Sequence, residues 1–133
     1  MIEYPIQIGP ELFPPFKSFP GLFYMQTEQQ IQKLCLTWLQ CNGFFAWKNH
    51  VGPIQVGAGR KIKNPAKGSP DIIAIKDGKF FGFEIKKPGK KMSADQITWA
   101  KEARQYGAVV LCVSSLQELI DDFTVYEAGD RRF

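Results

Sequence analysis

Phe80-Phe81-Gly82-Phe83-Glu84-Ile85-Lys86 is the stretch that decides how this chain folds. Side chains of a strand alternate between two faces, so Phe81, Phe83 and Ile85 share one face while Gly82, Glu84 and Lys86 share the other. A carboxylate and an ammonium therefore project side by side from the middle of an apolar strand. Burying them is costly unless they pair, bind a metal or meet a ligand. Taken alone, they also suit an exposed cross-strand ion pair. Just upstream, Asp71-Ile72-Ile73-Ala74-Ile75 reads as a second strand, joined to the first by a turn at Asp77-Gly78. The hairpin can bring Asp71, which follows Gly68-Ser69-Pro70, close to Glu84. Two carboxylates with a main-chain carbonyl nearby form a hard, oxygen-rich site suited to Mg²⁺ or Mn²⁺. Lys86 would then hold or deprotonate a water in line with a phosphorus atom. Asp71 by itself also fits ordinary turn or cap duty.

Working outward, Thr27-Glu28-Gln29-Gln30 is a capping box, and Ile31, Leu34, Cys35, Trp38 and Leu39 follow it at helical spacing up to a stop at Asn42-Gly43. Gly43 to Lys48 reads as a strand, and residues 52–70 as a loop rich in glycine, proline and cations. Ser93-Ala94-Asp95-Gln96 is a second capping box, opening a helix to about Gln105. Ala108 to Val113 is a nearly all-apolar strand, placed inside a sheet covered on both faces. A short last helix runs from Leu116 to about Asp122. The order of elements predicts an α/β sandwich around a mixed sheet. Glu28 and Gln96 head the stripes of their helices, where apolar residues are expected. Each has a structural explanation, in the helix dipole and in the capping box. Both also lie at helix ends that must turn toward the sheet.

The chain has 133 residues, with 44% apolar and 23% charged, an ordinary balance for one globular domain. No apolar run approaches a membrane span, and Pro5 and Pro10 interrupt the place of a signal peptide's apolar region. Cys35, Cys41 and Cys112 are too scattered for a zinc site and read as reduced intracellular thiols, which implies a cytoplasmic protein. Residues 1–25 hold five prolines and six Phe or Tyr, an extended aromatic arm packed on the domain or on a second subunit. Residues 26–123 form the domain and 124–133 a tail. Net charge is +4, yet residues 60–91 carry ten Lys or Arg against three acids, so that segment holds +7 and the remainder −3. This asymmetry fits either a polyanionic partner or a solvated face. His50 is the sole histidine, and its place at a strand end suits a surface or phosphate contact better than nucleophilic chemistry. Trp38, Trp47 and Trp99 are expected as core anchors rather than base-stacking platforms. Gly57-x-Gly59 lacks the setting of a nucleotide-binding loop, so no nucleotide cofactor is expected.

Glu28, the loop ending in Gly68-Ser69-Pro70-Asp71, Glu84-Ile85-Lys86, and Gln96 with Trp99 together resemble the PD-(D/E)XK nucleases, and within them the VRR-NUC (virus-type replication and repair nuclease) branch. Phe45-Ala46-Trp47-Lys48-Asn49 is similar to that branch's first-strand signature, which usually has Arg where Lys48 stands. The resemblance covers Thr27 to Leu119, about seventy per cent of the chain, and leaves out the N-terminal arm. It implies a restriction-endonuclease-like α-β-β-β-α-β core, a mixed sheet flanked by helices. It implies Asp71, Glu84 and the Ile85 main-chain oxygen as ligands of Mg²⁺ or Mn²⁺, with Lys86 as water activator. Glu28 would support the metal through water, and Gln96 would orient Lys86 or a ligand. The implied activity is metal-dependent hydrolysis of DNA, as a homodimer that cuts branched DNA such as four-way junctions in a bacterial or phage-infected cell. Alternatives are a nicking or flap nuclease with loose structure preference, and a non-catalytic DNA-binding module. Lys48, Arg60, Lys61, Lys63, Lys67, Lys87, Lys90 and Lys91 would hold neighbouring phosphates, without reading base sequence.

Overall fold

The computed structural model describes residues 26–50, 54–62 and 66–129. The aromatic arm expected over residues 1–25 lies outside them, as do Lys63 and residues 130–133. Helix α1 (Glu28–Cys41) begins at the first capping box: Thr27 Oγ1 accepts the Gln30 N–H, and Gln30 Oε1 accepts the Thr27 N–H. Its buried face is Ile31, Cys35, Trp38 and Leu39. The chain turns back at Gly43, whose φ of +85° suits a residue without a side chain, and the Phe44 N–H closes onto the Leu39 carbonyl. Phe44 thereby enters the core, edge-on to Phe81, Phe83 and Phe123. Burying a ring or aliphatic chain of this kind contributes about 1.5–3 kcal/mol.

Strand β1 (Phe45–Lys48) is followed by β2 (Ile54–Val56) and β3 (Arg60–Ile62), which among the described residues pair only with each other. Strands β4 (Ile72–Lys76) and β5 (Lys79–Ile85) form the predicted hairpin. Asp77 and Gly78 both take positive φ at its turn, 52° and 76°, the conformation a two-residue connection of right-twisted strands requires. Helix α2 (Ala94–Gln105) then crosses over to β6 (Val109–Val113), which joins β5 in parallel, and α3 (Leu116–Glu127) closes the domain. The main sheet has the order β1-β4-β5-β6. Phe81, Phe83 and Ile85 point into the core beneath α1 and α3. Phe80 and Glu84, on the opposite face, meet α2 through Trp99 and Gln96. A mixed sheet with helices on both faces, in the order α-β-β-β-α-β for its core, is the restriction-endonuclease-like arrangement.

Four expectations need correction. The segment expected as an irregular loop, residues 52–70, contains the β2–β3 ribbon, turned by Gly57-Ala58-Gly59 with positive φ at Ala58 and Gly59. Strand β6 lies at the sheet edge rather than inside it, and its apolar run answers to helices on its two faces. The last helix passes the expected end at Asp122, because buried Phe123 and half-buried Tyr126, whose ring meets Phe81 at 5.6 Å, extend the stripe of Leu116 and Leu119. Trp47 is not a core anchor: it is 39% exposed beside Phe45, 72% exposed. Ala46 takes the core side of β1, and α2 packs over β6 without reaching β1. Trp38 is buried as expected, and Trp99 is half-buried against Phe80. Among the described residues no helix is long and apolar enough to cross a membrane.

Candidate active site

The β4–β5 register ends at Ile72↔Phe83, and the next opposed pair is Asp71 and Glu84. Here the ladder gives way to side-chain chemistry: Asp71 Oδ2 accepts the Ile85 N–H at 2.9 Å in place of a main-chain carbonyl. Glu84 is only 2% exposed. Its carboxyl is pushed from the ordinary 4.5 up to about 8, first by burial, then by the Asp71 carboxylate and the hydrogen bond between the two, against the pull of Lys86. Lys86 follows on the same face, its N–H continuing the β5–β6 pairing to Val113 O, with Nζ 3.6 Å from Glu84 Oε1 and the side chain 17% exposed. The pair thus joins a buried Glu84 to a half-buried Lys86 and is not the exposed cross-strand pair that the residues alone also allowed.

Two helices reach this strand end from opposite faces. Ser93 and Gln96 form the second capping box, and Gln96 spends only its carbonyl oxygen on it, accepting the Ser93 N–H at 2.8 Å. Its Nε2 donates to Glu84 Oε1 at 2.9 Å. The cap and the site therefore use the two ends of one carboxamide, and the partner is Glu84 rather than Lys86. From α1, Glu28 Oε1 accepts the Lys87 N–H at 3.3 Å and lies 3.7 Å from Lys90 Nζ. Glu28 thus holds the main chain just past Lys86.

The other expected phosphate contacts are spread over several elements. Lys48 ends β1, Arg60 and Lys61 lie on β3, and Lys87 and Lys91 are exposed beyond β5. Lys67 pairs with Asp95 at 3.1 Å. His50 is exposed.

Two features escaped the sequence reading. Cys112 lies opposite Glu84 in β6, and its thiol is pushed up by burial and then by Glu84. Asn49 holds the segment before Asp71: its Nδ2 donates to Ser69 Oγ at 2.8 Å and Pro70 O at 2.9 Å, and its N–H donates to Asp71 O at 2.7 Å. With these, Asn49, Asp71, Glu84 and Cys112 occupy one row across four strands. Only the strand registers create that row, since the four positions are scattered in the sequence.

Among the described residues no three His, Cys, Asp or Glu side chains form a cluster suited to a metal ion. The candidate donor set is the two facing carboxylates of Asp71 and Glu84. Its chemistry fits a hard dication, because Glu84 and Asp71 crowd negative charge into a buried place that a cation would relieve.

No protein-family model matches the chain, and no curated protein does. The structure is similar to a solved chain titled "VRR_NUC domain protein", with a TM-score of 0.49, 20% sequence identity, and coverage of 79% of this chain and 92% of that one.

Proposed function

We propose that this chain is a Mg²⁺- or Mn²⁺-dependent endodeoxyribonuclease of the VRR-NUC kind, acting in the cytoplasm on branched DNA as a homodimer. One arrangement supports the catalytic part above all: Glu84, almost wholly buried, faces Asp71 and has Lys86 two residues on along the same strand face. A pure binding module has no use for two acids beside a phosphate. Asp71, Glu84 and the Ile85 main-chain oxygen would hold the cation, which neutralises charge on the scissile phosphate and lowers the pKa of the attacking water. Lys86 Nζ, in contact with Glu84, would hold that water in line with the phosphorus atom by donating a hydrogen bond to it. Gln96 keeps Glu84 Oε1 in place, and Glu28 keeps the chain after Lys86 from shifting.

The β2–β3 ribbon packs on no other described element and carries Arg60 and Lys61 with no acid. With Lys48, Lys87 and Lys91 it would grip phosphates beside the cut in a salt-dependent way. Lys67 and Lys90 already have acidic partners and would contribute less. The preference for junctions and the two-fold dimer follow from the resemblance, since paired sites suit paired incisions.

The test is cleavage of labelled four-way junction, flap and linear duplex DNA in Mg²⁺, Mn²⁺ and EDTA, beside Lys86→Ala. Metal-dependent cutting that the variant loses supports the reading, and paired cuts in the junction support its branched-DNA part. Tight binding with no cutting in either metal overturns it in favour of a binding module. A monomer by sedimentation at micromolar concentration removes the paired-incision proposal.

A further inference from the structure

We propose that Asn49 is a positioning residue for the acidic pair, and that its grip on residues 69–71 sets the affinity of the site for a divalent cation. The inference rests on the reading of Asp71 and Glu84 as cation ligands.

The segment before Asp71 has little else to hold it on this side. Pro70 has no N–H to donate, and the Ser69 N–H is used within the turn, on Ala66 O. What residues 69–71 offer toward β1 are acceptors: a hydroxyl and two carbonyls. Asn49 is matched to these, because a carboxamide carries two N–H donors and the backbone supplies a third. All three contacts fall between 2.7 and 2.9 Å. Underneath, Pro70 lies so close over Gly82 that a Cβ at Gly82 would collide with its ring. On the third side, Gly68, at a φ of +89°, runs so close to the Asp95 carbonyl in the first turn of α2 that a Cβ would collide there too. The segment is therefore clamped from β1, β5 and α2, and the β1 clamp is Asn49. Asp71 then has only its side-chain torsions left, and one carboxylate oxygen is taken by the Ile85 N–H. Two like charges hold a cation only if their oxygens are kept within coordination distance, so loosening this clamp weakens the site without removing a ligand.

The experiment is calorimetric titration of Mn²⁺ into the DNA-free protein, for wild type, Asn49→Ala and Ser69→Ala, with thermal unfolding to establish equal folded fractions. In parallel, cleavage is measured against Mg²⁺ concentration. Asn49→Ala is expected to weaken Mn²⁺ binding by about tenfold or more, the usual cost of losing an outer-shell partner. Half-saturating Mg²⁺ rises by the same factor, and high Mg²⁺ restores much of kcat. Ser69→Ala, which removes a single acceptor, is expected to show a smaller shift in the same direction and serves should Asn49→Ala fail to fold. Isotherms that match wild type at equal folded fraction overturn the inference, even where wild type cuts DNA. Weakened Mn²⁺ binding in a protein that cuts no DNA supports the role of Asn49 and defeats the nuclease reading instead. A wild-type protein with no Mn²⁺ isotherm overturns both.

Discussion

The two capping boxes of this protein are locally alike and differ in what they face. In Thr27–Gln30 and in Ser93–Gln96 the hydroxyl accepts the third amide, and the glutamine oxygen returns to the cap N–H at 2.8 Å in both. Gln30 is exposed, and its carboxamide does nothing further among the hydrogen bonds of the described residues. Gln96 lies opposite β5 and gives its other end to Glu84. A capping box needs only four consecutive residues and is satisfied by them alone. Whether it also serves a site depends on which strand the helix happens to cross.

The largest effect that would sharpen this contrast is at the group only the second box touches. Glu84→Gln removes a carboxylate from the proposed cation site while keeping its size, and cleavage is expected to fall about a thousandfold or more, the loss of several kcal/mol of charge stabilisation. A variant with near wild-type rates would end the assignment of that row as the site. Next come the two glutamines. Gln96→Ala is expected to lower the cleavage rate about ten- to a hundredfold, whereas Gln30→Ala leaves it unchanged. Equal rates for the two variants would show that the second box is a cap and no more.

A third effect concerns pH. In metal-free protein Glu84 titrates near 8 when folded, against an ordinary value of 4.5, so between those values the folded chain binds more protons than the unfolded one. Stability is therefore expected to fall as pH rises through that window, the sign opposite to that of a salt-bridged carboxylate. Urea unfolding in EDTA across the window measures it, and Glu84→Gln should flatten the profile. A stability that climbs over the same range would mean that Lys86 outweighs burial and Asp71. The smallest effect is where the two boxes should agree: Thr27→Ala and Ser93→Ala are each expected to cost about 1 kcal/mol of unfolding free energy. A much larger cost at Ser93 would mean that the loosened Gln96 also destabilises the Glu84 pocket.

Several features were legible in the residues because short-range chemistry determines them. The two capping-box helix starts, the stop at Asn42-Gly43 and the turn at Asp77-Gly78 depend on neighbours within a few positions. The alternation that sends Phe81, Phe83 and Ile85 one way and Glu84 the other is a property of any extended strand. The ribbon was not legible, because its three-residue strands are interrupted by Gly57-Ala58-Gly59 and lack the apolar alternation that marks a half-buried strand. Trp47 was misjudged because its type says only that it is large and apolar, not whether a helix covers its face of β1.

What the amino-acid sequence by itself determined was the four strands of the main sheet and the three helices, their order, and the placing of an acid and a lysine on one strand face. The tertiary structure alone decided that Asn49, Asp71, Glu84 and Cys112 fall in one row, that Gln96 rather than Gln30 meets a buried acid, and that Pro70 rests on Gly82. Hydrogen bonds within a turn and the period of a strand act over a few residues. Strand register and helix placement are instead settled by how the whole apolar face packs, and that depends on residues far apart in the chain.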